Sequence, residues 1–160
     1  MKKIWCLLGR VGFWLAWPGI WLYLHNSQRS RVLIVDATDR ILLVKGWLST
    51  QKWSLPGGGG HGQESPQQIA AREVAEETGL QLKVEQLLQL VRQPIRSKGF
   101  IVDTVLYVVK LSSPAQHIRP QRFEIIEVAW IDAKNLSSAN AEPDVMLALE
   151  AWSRSGGLLQ

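Results

Sequence analysis

Cysteine and histidine are scarce in this sequence of 160 residues, which limits the chemistry it can support. The one cysteine, Cys6, cannot form a disulfide within the chain, so nothing indicates an oxidising compartment. Cys6 also lies in an apolar stretch, where an inert thiol is expected rather than a nucleophile. The three histidines, His25, His61 and His117, are widely spaced and match no zinc pattern. The sequence therefore indicates neither a disulfide scaffold, nor a zinc site, nor thiol catalysis.

A strong charge of one sign is also missing from most of the chain. The formal net charge is +4, but three of the 18 basic residues and none of the 14 acidic residues lie in residues 1–27. The rest of the chain is close to neutral, so its charge does not imply a nucleic-acid-binding surface. The hydrophobic fraction of 46% and the charged fraction of 20% are typical of a globular domain.

Residues 4–24 form a long hydrophobic segment ahead of that domain. The segment is long enough to span a bilayer, but Arg10 interrupts it and Pro18 would kink a helix. Four tryptophans suit the headgroup region of a membrane: Trp5, Trp14, Trp17 and Trp21. We therefore predict a hydrophobic helix in residues 1–27 that spans a membrane or lies in its interface, with a helix packed on the domain as the alternative. The predicted location is the cytoplasm, with the segment attaching the protein to the inner face of the cell membrane.

Residues 28–160 are predicted to form a single domain of strands and two helices. Apolar runs and their periodicity predict strands at 31–36, 41–45, 82–92, 100–111 and 123–131, and helices at 66–78 and 143–154. The first two strands would form a hairpin, and residues 46–61 would form a loop rich in glycine and tryptophan. This order of elements predicts an α/β or α+β sandwich, in which a mixed β-sheet packs between helices.

The helix predicted at 66–78 has well-defined ends. Ser65 is a suitable N-cap, Pro66 occupies the first helical position, and Gln68 completes a capping box. Gly79 follows the last turn, where a left-handed residue ends many helices. The boundaries of this helix therefore follow from local sequence alone.

Three glutamates share one face of that helix. Glu73, Glu76 and Glu77 are spaced i, i+3 and i+4, so their like charges would repel each other unless a cation neutralised them. Hard carboxylate oxygens are the ligands that Mg²⁺ or Mn²⁺ prefers. The four glycines at 57–60 can approach a ligand closely, and a carbonyl from this loop could complete the coordination shell. The run lacks the Lys-Ser/Thr ending of a P-loop.

These residues together resemble the signature of the Nudix family, G-x5-E-x7-R-E-U-x-E-E-x-G-U, where U is aliphatic. Every fixed position is filled, by Gly58, Glu64, Arg72, Glu73, Val74, Glu76, Glu77, Gly79 and Leu80. The resemblance covers roughly residues 31–153 and implies an α/β/α sandwich. It also implies a hydrolase that uses Mg²⁺ or Mn²⁺ and water to cut a phosphoanhydride bond. The substrate would be a nucleoside diphosphate linked to another moiety, or a nucleoside triphosphate.

The resemblance also assigns roles to individual residues. Glu73, Glu76 and Glu77 would bind the cation together with the Gly57 carbonyl, and Glu73 would also orient or deprotonate the attacking water. Arg72 would hold the glutamates in place through salt bridges, and Glu64 would support that network. A later loop would supply a further acidic ligand, for which Glu124 is the candidate and Glu127 the second choice.

Two other functions compete with hydrolysis. A Nudix-fold module tethered to the membrane could bind a nucleotide without cutting it, or residues 1–27 could make the protein a membrane-bound interaction partner. The complete signature favours hydrolysis. Oxidised nucleotides, sugar nucleotides and dinucleotides all fit the sequence as substrates.

Overall fold

The computed structural model describes residues 28–46, 51–97, 100–113, 118 and 125–156. Its strands and helices are β1 (Arg29–Val35), β2 (Arg40–Gly46), β3 (Gly57–Gly59), α1 (Pro66–Thr78), β4 (Leu88–Ser97), β5 (Phe100–Lys110), β6 (Ile125–Asp132) and α2 (Pro143–Arg154). Single turns of 3-10 helix lie at Val84–Gln86 and Ala133–Asn135. The hydrophobic helix predicted within residues 1–27 lies outside the described residues. Among the residues described, no helix has the length and apolar character needed to cross a membrane.

The six strands form one mixed sheet, as predicted. Its main order is β4-β5-β1-β2-β6, and β3 pairs with β1 outside this path. Strand β1 runs parallel to β5 along its whole length, whereas the other pairs are antiparallel. The central strands are almost entirely buried, which explains why their sequences are continuous apolar runs.

One edge of β1 is divided between two partners. Its first residues, Arg29–Arg31, pair with β3, and its last two, Ile34 and Val35, pair with β2. Between these pairings, the Val32 amide donates a hydrogen bond to the Pro56 carbonyl at 3.0 Å. The glycine loop is therefore inserted into the centre of the sheet.

Alternating residues of the sheet pack against the two helices. Val32 and Ile34 of β1 belong to one buried cluster together with Ala70 and Val74 of α1, here called the α1 cluster. Leu33 and Val35 belong to a second cluster, the α2 cluster, which includes Val145 and Ala148 of α2. Full burial of an aliphatic side chain of this size contributes about 1.5–3 kcal/mol. The fold is thus an α/β/α sandwich, as predicted, and α1 lies on one face of the sheet.

The strand predicted at 82–92 is misplaced, since β4 begins at Leu88 and continues to Ser97. Before it, the Lys83 amide donates to the Gln86 side chain at 3.1 Å, and this bond closes a 3-10 turn instead of extending a strand. At the other end, Pro94 lies inside β4. Proline is tolerated there because, among the described strands, β4 is an end strand that pairs only with β5.

Candidate active site

Helix α1 presents the glutamates from a rigid frame. The Ser65 hydroxyl accepts a hydrogen bond from the Gln68 amide at 3.3 Å, and the Gln68 side chain accepts one from the Ser65 amide at 2.8 Å. At the other end, Gly79 adopts a left-handed φ of 78° and its amide donates to the Ala75 carbonyl at 2.9 Å. Both predicted caps are confirmed, and the side-chain directions along α1 are therefore defined.

The guanidinium of Arg72 is the centre of the site. It donates to both carboxylate oxygens of Glu64, at 2.8 and 3.1 Å. It also donates to Glu73 at 2.7 Å, to Glu76 at 3.2 Å and to the Gly59 carbonyl at 3.0 Å. One planar side chain thus ties three acids of this region to the glycine loop, a geometry that lysine cannot reproduce.

Glu64 remains charged in this network. Hydrogen bonds from the Arg72 side chain and, next in size, from the His61 amide lower the pKa of Glu64 to about 2. The same pairing with Glu64 raises the pKa of Arg72 above its usual value. The ion pair between Glu64 and Arg72 therefore persists at neutral pH.

The carboxylate of Glu73 lies against the backbone of the glycine loop. Glu73 is only 4% exposed, although it is charged. A Cβ built on Gly58 would lie 2.6 Å from Glu73 Cδ and 2.7–2.8 Å from its two oxygens. Only glycine at position 58 leaves room for this carboxylate.

Glu77 and Gly57 are joined directly. The Gly57 amide donates to Glu77 Oε2 at 2.9 Å. Gly57 has a φ of 139°, and a Cβ at this position would lie 2.2 Å from the Ser30 carbonyl oxygen. The requirement for glycine at position 57 therefore has two causes, the backbone conformation and the contact with β1.

The predicted site residues are gathered only in part. Glu64, Glu73 and Glu76 meet at Arg72, and Glu77 lies at the Gly57 amide. Within the described part of the chain, no three acidic, histidine or cysteine side chains are arranged as a metal site.

Of the two candidates for an acidic metal ligand from a later loop, the structure describes only Glu127. Glu124 lies outside the described residues. Glu127 forms an ion pair with Lys45 at 2.9 Å. It shares a face of β6 with Ile131, which packs in the α2 cluster, so Glu127 is on the side of the sheet opposite α1.

A partly buried ion pair that the sequence did not predict holds the start of the glycine loop. Arg31 of β1 donates to the Leu55 carbonyl at 2.6 Å and lies 3.3 Å from the Asp144 carboxylate of α2. Asp144 in turn accepts a hydrogen bond from the Leu55 amide at 3.2 Å. Burial raises the pKa of Asp144, and the charge of Arg31 opposes this rise. The only sequence signal was an acid in the first turn of α2, where the helix dipole favours negative charge.

Comparisons with known proteins support the resemblance to the Nudix signature. The family model for the NUDIX domain matches residues 26–149. A MutT-like protein of Streptomyces ambofaciens is 28% identical over 133 residues, which cover 83% of this chain and 80% of that protein.

Solved structures share the fold. The NUDIX domain of Shewanella oneidensis NrtR, solved with ADP ribose, is 25% identical with a TM-score of 0.66, and the match covers 80% of this chain and 87% of that one. A bifunctional NMN adenylyltransferase/ADP ribose pyrophosphatase of Francisella tularensis, solved with AMP and a manganese ion, is 20% identical with a TM-score of 0.68. That match covers 97% of this chain and 50% of the Francisella protein, so this chain corresponds to half of it.

Proposed function

From the premise that this chain belongs to the NUDIX family and is a Nudix pyrophosphohydrolase, we propose that it hydrolyses a nucleoside-diphosphate-type substrate with the aid of Mg²⁺ or Mn²⁺. The observation that carries the proposal is the buried Glu73 carboxylate, held by Arg72 against a loop in which glycine leaves room for it. A charge this deeply buried is maintained only where it has partners.

The residues of α1 fit a divalent cation. Glu73, Glu76 and Glu77 supply hard oxygen donors, and the Gly57 carbonyl and Glu124 are proposed to complete the set. When bound, the cation neutralises phosphate charge and lowers the pKa of a coordinated water. Either Mg²⁺ or Mn²⁺ suits this donor set, and the Francisella structure contains manganese.

The chain's own residues then orient the reactants. Glu73 accepts a proton from the attacking water, because its carboxylate is held in place by Arg72. Arg72 and Glu64 keep that carboxylate oriented through their bidentate pair. The glycine backbone at 57–60 lets the diphosphate approach the helix closely. No covalent intermediate is needed, since water is the nucleophile.

A substrate screen tests this proposal on the full chain. We expect Mg²⁺-dependent cleavage of one member of a panel that includes ADP-ribose, a sugar nucleotide, a dinucleoside polyphosphate and nucleoside triphosphates. For the first three, cleavage exposes terminal phosphates, which alkaline phosphatase then releases as inorganic phosphate for detection, and for triphosphates pyrophosphate is measured directly. In a separate assay without alkaline phosphatase, which itself needs metal ions, EDTA should abolish product formation and added Mg²⁺ should restore it, with the products separated by ion-exchange chromatography. Tight binding of a panel member without any cleavage would instead favour the non-catalytic module.

Membrane attachment through residues 4–24 is a separate proposal, motivated by the four tryptophans and the basic flanks of that segment. We expect the full chain to sediment with vesicles that contain anionic phospholipid. A chain beginning at residue 28 should stay in the supernatant and keep its hydrolase activity. Equal sedimentation of the two chains would refute the attachment, and loss of folding in the shorter chain would show that the segment packs on the domain.

A further inference from the structure

Ser30 of β1 has a hydroxyl group that is buried and makes no hydrogen bond within the described part of the chain. The residue is 0% exposed, and its Oγ bonds to no atom of the residues that the structure describes. An unpaired buried hydroxyl destabilises a fold, and alanine would fill the same space without this penalty. The hydroxyl therefore calls for an explanation other than stability.

The alternation along β1 shows which way Ser30 points. Val32 and Ile34 pack in the cluster that contains Ala70 and Val74 of α1. Ser30 precedes them by two and four residues in a strand whose pairing with β5 has no irregularity. Its side chain therefore projects from the α1 face of the sheet, the face on which Glu73 lies.

Strand pairing places Ser30 beside the Glu73 carboxylate. Ser30 is the direct partner of Gly58 in the antiparallel pair of β1 and β3. Side chains at such partner positions emerge on the same face, with Cβ atoms about 4.5–5.5 Å apart. The space of the missing Gly58 side chain is taken by the Glu73 carboxylate, 2.6 Å from the Cβ position. The Ser30 hydroxyl thus neighbours the most buried carboxylate of the site.

We propose that Ser30 is a positioning residue for Glu73, and this inference rests on the proposed function. Arg72 donates to one oxygen of the Glu73 carboxylate, Oε1, and a bound cation would draw on the same carboxylate, so its orientation would then depend on more than Arg72. The Ser30 hydroxyl donates a hydrogen bond to Glu73 in the cation-bound state and fixes the orientation of the carboxylate. Outer-shell donors of this kind hold metal ligands in place.

Binding of Mn²⁺ without substrate tests the proposal, with electron paramagnetic resonance or calorimetry as the readout. We expect Ser30→Ala to weaken Mn²⁺ binding about tenfold. Its Tm should equal or exceed that of the unaltered chain, because the substitution removes an unpaired hydroxyl. A purely structural serine would show the opposite combination, a lower Tm with unchanged affinity.

Thr104→Val is the matched control. Thr104 is 3% exposed and lies on the neighbouring strand β5, but it shares a face with Leu106, which packs in the α2 cluster. Its hydroxyl donates to the Val102 carbonyl at 3.0 Å. We expect this variant to lower Tm and to leave Mn²⁺ affinity within about twofold, since the lost hydrogen bond is remote from Glu73.

The outcomes separate this inference from the proposed function. Failure of the unaltered chain to bind Mn²⁺ would overturn the proposed function, and the role of Ser30 with it. Binding by the unaltered chain and equal binding by Ser30→Ala would overturn the role of Ser30 alone. Weaker binding accompanied by a Tm drop as large as that of Thr104→Val would also overturn it, since the loss would then follow from unfolding.

Discussion

Turnover should fall about tenfold or more when Glu76 or Glu77 is replaced by glutamine, and further in the double variant, while the fold is kept. Glutamine has nearly the same shape as glutamate but lacks the negative charge that binds a divalent cation. The fold is kept because the amide oxygen of a glutamine at position 77 can still accept the hydrogen bond from the Gly57 amide. Steady-state kinetics at saturating Mg²⁺ and thermal unfolding measure the two effects.

Glu85→Gln is the control for the change in charge. Glu85 is exposed in the 3-10 turn that follows α1, and its replacement by glutamine changes the net charge by the same one unit as each single variant. Its replacement should leave turnover unchanged. If the double variant of Glu76 and Glu77 kept full activity, the assignment of the cation to α1 would be wrong.

Gly57→Ala should destabilise the protein by about 3 kcal/mol or more, the largest effect expected from any single added methyl group in the glycine loop. The added Cβ would lie 2.2 Å from the Ser30 carbonyl oxygen and 2.7 Å from Arg31 Cα. Both atoms belong to the backbone of a central strand, so neither can move aside cheaply. The φ of 139° adds strain for any residue other than glycine. Urea unfolding measures the change in the free energy of unfolding.

Gly59→Ala provides the comparison two residues away. A Cβ on Gly59 would meet no atom within 4 Å. This variant should stay within about 0.5 kcal/mol of the unaltered chain. If both substitutions cost equally little, the close packing of β3 on β1 would not exist in solution.

Local rules were sufficient to predict α1 to the residue. Ser65, Gln68 and Gly79 determine its ends through contacts within a few positions along the chain, and such contacts are visible in sequence. The central strands were predicted nearly as well, since β1, β2 and β5 are buried on both faces and are correspondingly apolar. The glutamate spacing predicted Glu73, Glu76 and Glu77 on one face of α1. In the structure Glu73 and Glu76 contact Arg72, whereas Glu77 accepts a hydrogen bond from the Gly57 amide.

Features that depend on distant pairing were not predictable in this way. Glycine is depleted in strands, so nothing in Gly57–Gly59 indicates β3, which exists only because β1 offers an edge. The bond between Leu55 and Asp144 joins residues 89 positions apart, beyond the reach of any local pattern. The start of β4 was missed because Leu82 and Leu87 are apolar for another reason, their packing in the α1 cluster.

The division of the β1 edge has a consequence for preorganisation. A loop that becomes ordered only when a ligand arrives loses backbone entropy at that step, and this loss weakens binding. Here Gly57–Gly59 is already part of the ladder of a central strand, and Pro56 accepts a bond from the same strand. The loss of backbone entropy is therefore incurred during folding, and an incoming ligand meets a surface whose shape is already set.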